Sequence, residues 1–169
     1  MPNIKMKDRE YKDSNAIYDV MYYCLNHDLR NYDVTYLPVR NDCMKYAATE
    51  REDEVRYMVN FWNMILAGYN KNCGKRFNHF VIGIGYENQD KVRHFVNIIT
   101  HTVLEYMQNK GFIGLVAYHV TPKGYHHLHI MQGITNIYGK SVHTNAYTLA
   151  IYLNTQIPYL KMQAVDDDF

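Results

Sequence analysis

The sequence predicts an α+β domain: a mostly antiparallel central β-sheet flanked by helices. Three observations carry this. Runs of β character and runs of 3.6-residue apolar period alternate along the 169 residues. The β-type runs FIGLVAYHV and YHHLHIMQGI are separated only by TPKG, a turn short enough to demand an antiparallel hairpin. No repeat, low-complexity linker or shift of composition divides the chain, whose length suits one core. We therefore expect a single domain over residues 1–162 and an acidic, frayed tail over 163–169.

The elements follow in order. NIKM reads as a short edge strand, and KDSNAIYDVMYYCLNHD as a helix capped by Ser14 or Asn15. Ile17, Val20, Met21 and Cys24 give that helix its apolar stripe. Tyr22 then points nearly opposite the stripe, and Tyr23 lies closer to its edge. A short strand is expected around Val34–Val39, and a second helix, acidic in its first turns, over residues 48–68. FNHFVIGIG is dense enough to be a central strand. The strongest helix follows, with Val92, Phe95, Val96, Ile99, Val103, Tyr106 and Met107 as its buried face and Gly111 as its end. The hairpin comes next, then a last helix from HTNAYTLAIYLNTQ that breaks before Pro158.

Bulk composition excludes some classes. The three cysteines show no CxxC spacing, so they read as reduced thiols and not as a disulfide frame or zinc knuckle. No apolar run approaches the ~18–20 residues a membrane span needs, and the first residues hold no secretory signal; the cytoplasm is the default expectation. Net charge is only +1, so nothing follows from overall basicity. Its distribution is uneven: residues 61–140 carry eight Lys/Arg against three Asp/Glu, while the flanking segments are each net negative. A polyanion would be steered to that middle segment. Seventeen tyrosines offer stacking faces that suit a nucleic-acid surface, and also suit ordinary packing.

The chemistry concentrates in GYHHLHIMQG. On a strand, His127 and His129 share a face while Leu128 and Ile130 take the other. In a hairpin turning near Pro122–Gly124, His119 falls opposite His127, within reach of it. Three neutral imidazoles at one point make a divalent-metal site with open positions. His126 faces away from the pair, and with His79 it is a candidate supporting group. Residues 112–140 contain no Asp or Glu. The nucleophile is then expected to be a protein side chain and not a water activated by a neighbouring carboxylate.

These residues resemble the HUH endonucleases (His-hydrophobic-His), and among them the MobP-type relaxases of plasmid and conjugative-element mobilization. The match runs in order: an opening strand, a tyrosine helix AIYDVMYYCLN, the strand HFVIG, a long helix, VAYH, and HHLHIM. It covers roughly residues 1–140. The resemblance implies an HUH catalytic domain with a ferredoxin-like or palm sheet core. It implies His119, His127 and His129 as ligands of a divalent metal (Mn²⁺ or Mg²⁺, with other transition metals able to substitute in vitro). It implies Tyr23 as nucleophile, with Tyr22 in reserve. The activity implied is metal-dependent nicking and rejoining of single-stranded DNA at an origin-of-transfer-like site through a 5′-phosphotyrosyl intermediate. Accessory DNA-binding and coupling proteins are the implied partners. Lys71, Lys75, Arg76, Lys123 and Lys140 become candidates for DNA backbone contacts. Two departures stand out: Thr121 occupies the position of an Asp that follows the first His, and the spacing to the HUH pair is one residue longer. Thr121 is thereby a candidate orienting group in place of that Asp. Rival readings are a rolling-circle replication initiator, a transposase using Tyr147, Tyr152 or Tyr159, a water-using phosphoesterase, and a non-catalytic single-strand-binding module.

Overall fold

A computed structural model of the chain describes residues 2–7, 11–26, 33–36, 43–45, 51–71, 73–86 and 88–165. Its elements are β1 (Asn3–Met6), α1 (Ala16–Asn26), β2 (Asp33–Tyr36), β3 (Cys43–Lys45), α2 (Arg51–Gly68), β4 (Phe77–Gly85), α3 (Gln89–Lys110), β5 (Gly114–Val120), β6 (His126–Gly133), α4 (Ala146–Gln156) and β7 (Gln163–Ala164). The strands form one seven-stranded sheet in the order β3-β2-β5-β6-β4-β1-β7. Every pairing is antiparallel except β1 with β7. The α+β class and the mostly antiparallel sheet are as expected.

Period-two alternation gives the sheet two unlike faces. Phe80, Ile82, Val116, Tyr118, Leu128 and Ile130 turn to the back, where α3 and α4 cover them with Val92, Val96, Ile99, Leu149 and Leu153. Phe77, Leu115, Ala117 and Met131 turn to the front, where α1 and α2 bring Ile17, Met21, Met58 and Trp62. Apolar cover ends part-way along the front. Beyond it, toward the β5–β6 turn, the same strands carry His79, His119, His127 and His129.

Local chemistry fixes the helix ends. Asn88 caps α3, its side chain accepting from the Asp90 N–H at 3.1 Å. Gly111 ends it with φ 69°, a left-handed conformation that glycine adopts without strain. Asn145 caps α4 by accepting from Thr148 N–H at 2.8 Å, and α4 stops at Gln156, ahead of Pro158. Two short strands, β3 and β7, have no counterpart in the sequence reading. The expected strand at Val34–Val39 is found as β2; residues 37–40 lie outside the described residues. The expected tail begins inside the sheet: Gln163 and Ala164 pair with Asn3 and Ile4. Its acidic end, 166–169, lies outside the described residues. Among the described residues no helix is long and apolar enough to cross a membrane.

The β5–β6 contact generates a stability prediction. A Cβ added at Gly114 would collide with the Met131 carbonyl oxygen and stand 2.8 Å from Met107 Sδ. Gly114→Ala is expected to cost about 1–3 kcal/mol. Gly68, at the end of α2, has nothing within 4 Å of such a Cβ, so Gly68→Ala is expected to leave stability unchanged or raised. Thermal unfolding of both variants beside the parent checks this.

Candidate metal centre

The hairpin register builds the centre. His119 stands directly across from His127, and His129 lies between Ala117 and Val81. Ligand atoms of His119, His127 and His129 all lie within 4.8 Å of one another. The ring centroids of His119 and His129 are 4.4 Å apart, and those of His127 and His129 4.9 Å. The convergence expected from the sequence is therefore present.

Hydrogen bonds decide which nitrogens face inward. His119 Nε2 is 2.7 Å from the Cys24 carbonyl oxygen. A carbonyl only accepts, so Nε2 carries the proton and Nδ1 keeps the lone pair. His129 Nδ1 lies 2.8 Å from His79 Nε2, and His79 Nδ1 lies 3.0 Å from Tyr11 Oη. Protons on the two Nδ1 atoms satisfy this chain from His129 through His79 to Tyr11, an assignment made on hydrogen-bond logic. It leaves a lone pair on His129 Nε2, which is buried and has no hydrogen-bond partner. A buried nitrogen lacking a partner is a costly arrangement unless something binds it.

His129 is only 5% exposed. Burial above all, then the neighbouring His119, His79, His127 and Lys7, push its pKa down to about 2. It is neutral at any ordinary pH, as a ligand must be. Three imidazoles, His129 among them with an orphaned inward nitrogen, fit a divalent ion of the nitrogen-seeking kind. His79 orients His129 as an outer partner should, though as an imidazole where a carboxylate is common.

A cavity of about 570 Å³ opens over this centre, lined by Lys7, Tyr11, Asp19, Val20, Tyr23, His79, Val81, His127 and His129. Tyr23 reaches it from α1. Its ring meets His129 edge-on at 5.6 Å and His119 at 6.0 Å, and it is half exposed. Burial, with a smaller effect of Cys24, raises its pKa, so the phenol keeps its proton at neutral pH. Tyr22 turns elsewhere and stacks on Tyr18 at 5.7 Å. Asp19, one turn before Tyr23, shares its helix face and is, among the described residues, the one carboxylate lining the cavity.

Other expected residues sit differently. His126 is on the back of the sheet: its ring stacks with Tyr118 and its Nδ1 lies 2.5 Å from that hydroxyl, so it does not support the centre. Strand parity, which turns 126 away from 127 and 129, is the reason. Thr121 organises the hairpin turn, its hydroxyl accepting from Tyr125 N–H, and orients no histidine. Arg76 is 9% exposed and engages Asn63 at 3.5 Å, with its backbone tied to Tyr11 and Ile134; it is a packed link and not an open phosphate contact. Lys71, Lys75 and Lys140 lie at the end of β4 and β6 away from the turn, whereas Lys123 lies in the turn itself, exposed. Sequence reasoning missed Lys7, Tyr11 and Asp19. Only Asp19 left a signal, its four-residue spacing from Tyr23.

The lowered pKa of His129 makes stability depend on pH. Unfolding restores its ordinary value near 6.5, so the unfolded chain binds a proton there that the folded chain refuses. This contribution is constant above about pH 6.5 and shrinks as pH falls. By pH 5 it has cost on the order of 2 kcal/mol. Urea unfolding of metal-free protein at pH 7.5 and 5 should show the loss, and His129→Gln should flatten it. No protein-family model, curated protein or solved structure matches the chain, so its function is argued from this geometry.

Proposed function

We propose that this protein is a DNA relaxase: a metal-dependent, site- and strand-specific enzyme that nicks and rejoins single-stranded DNA for plasmid or mobile-element transfer. One observation carries the reading. Three histidine ligand atoms gather within 4.8 Å of one another under the ring of a tyrosine presented by the first helix. The sheet with helices on both faces is compatible with the relaxase-type architecture that the sequence resembles.

A divalent ion held by His119, His127 and His129 would supply positive charge to the non-bridging oxygens of the scissile phosphate. Tyr23 Oη is the nucleophile. Its bond to phosphorus forms as the bond from phosphorus to the 3′ oxygen breaks. The phenolic proton passes to the Asp19 carboxylate, which shares the cavity, and the departing oxygen takes a proton from solvent to become a 3′-hydroxyl. Lys7, on the cavity wall, favours a phosphate there over an uncharged ligand. The phosphotyrosyl ester retains the bond energy, so the reverse attack rejoins the strand.

The transposase alternative draws less support. Tyr152 packs among the back-face residues and Tyr159 lies beside His94 of α3. Tyr147 sits on α4, and none of the three lines the cavity.

The test is a denaturing gel of the protein with Mn²⁺ and single-stranded and hairpin DNAs from its own replicon. A slow protein–DNA band is expected from the parent and from Tyr22→Phe, and none from Tyr23→Phe or with EDTA. Asp19→Asn should slow band formation by about 10²-fold or more. A band that survives Tyr23→Phe sinks the assignment of the nucleophile. Cleavage without linked protein would favour a phosphoesterase using water, and binding without cleavage a single-strand-binding module.

A further inference from the structure

Cys24 sits on α1 with no exposed surface. Its Sγ and one ring nitrogen each of His79 and His129 lie within 4.8 Å of one another, and all three residues are buried. We propose that Cys24, His79 and His129 form a second metal site, for thiophilic divalent ions of the Zn²⁺ class, filled only in alternation with the three-histidine set.

The donor chemistry selects the ion. A thiolate with two imidazoles favours Zn²⁺ and its congeners over Mn²⁺ or Mg²⁺. Donors on one tetrahedral zinc stand about 3.3–3.6 Å apart, given bonds of ~2.0–2.3 Å. The separations, at most 4.8 Å, are within what small side-chain rotations would close to that spacing. His79 already turns Nε2 toward His129 and Nδ1 toward Tyr11 Oη, so Tyr11 is in place as the outer partner of a ligating histidine. His79 and His129 both line the cavity, which is the ion's route in.

The alternation follows from one ring. His129 presents Nδ1 to His79, and its Nε2 is buried without a hydrogen-bond partner. A neutral imidazole has one lone pair. The alternation assigns Nε2, the nitrogen left without a partner, to the three-histidine set and Nδ1, the nitrogen facing His79, to the cysteine set. Binding at the cysteine set sends the thiol proton to solvent and moves the proton of His129 from Nδ1 to Nε2. One proton is released per ion and nothing is oxidised. Zinc there withdraws His129 from the other set, which gives the centre a metal-controlled off state. The site rests on metal chemistry alone and stands whether or not DNA is the substrate.

The probe is Co²⁺ added to the full reduced chain, read by its thiolate-to-metal absorption in the near ultraviolet. The band is expected in the parent and is displaced by Zn²⁺. It should persist in Cys43→Ser/Cys73→Ser, where Cys24 is the only thiol, and in His119→Ala/His127→Ala. It should vanish in Cys24→Ser, with Zn²⁺ binding weakened on the order of 100-fold, at least the cost of losing an outer partner. Circular dichroism confirms that each variant is folded. If Cys24→Ser does not fold, the Cys43→Ser/Cys73→Ser variant decides alone. Absence of the band in that variant or in the parent overturns the site, as does its survival in Cys24→Ser. Protein preloaded with Mn²⁺ should release it as the zinc site fills. Retention of one Mn²⁺ beside one Zn²⁺, by metal analysis after desalting, overturns the alternation.

Discussion

The register of β6 between β4 and β5 is the constraint on which everything else depends. It sets His127 against His119 and Gly83, and His129 against Ala117 and Val81. It also sends Leu128 and Ile130 into the back core. A slip of one residue would drive both histidines into that core and expose the leucine and isoleucine. The hydrophobic pattern of one strand thus fixes the geometry of the imidazoles. Three further bonds link the strand histidines to one another and to what lies above them. His119 bonds the Cys24 carbonyl of α1, and His79 bonds both His129 and Tyr11.

Helix α1 serves both halves of the front face. Ile17, Met21, Cys24 and Leu25 are buried in the apolar half with Trp62 and Phe77. Val20 lies at the boundary, packed against that core and also lining the cavity. Asp19 and Tyr23 stand on the next strip of the same helix and face the histidines. Tyr23 is positioned by a helix anchored through its own packing, which suits the nucleophile role proposed for it. Tyr22, one residue earlier, turns 100° away and is taken up by Tyr18.

Much of this was readable in the sequence, for local reasons. Alternation along a strand and a four-residue turn were enough to place His119, His127 and His129 together. Helical angle was enough to separate Tyr23 from Tyr22. What escaped was long-range. The contact of Tyr11 with His79 spans 68 positions and that of Cys24 with His119 spans 95. Neither leaves a periodic trace, because each depends on how the segment from Tyr11 through α1 lies on the sheet. Lys7 reached the cavity wall because β1 pairs with β4, a partner choice the pattern does not specify. Arg76 read as surface charge by residue type, yet its backbone bridges Tyr11 and Ile134, and that draws it inward. β3 and β7, at three and two residues, are too short to show any pattern.

The arrangement is a poor one for stability, and that bears on why it exists. The covered half of the front face is filled by Phe77, Leu115, Met131 and Trp62, all fully buried. The histidine half belongs to the same three strands, and apolar residues there would extend that packing without leaving an orphaned nitrogen. Instead, His119 and His129 are at least nine-tenths buried, with His79 beside them. Burial makes His129 resist protonation, and the cluster gains little from its own hydrogen bonds. Local rules broken without local compensation mark functional places in a fold. Binding of an ion would supply the missing compensation, since it would occupy the orphaned lone pair and stabilise the folded chain by its own affinity. On this argument the buried histidines are a place where an ion could bind, under the ring of Tyr23.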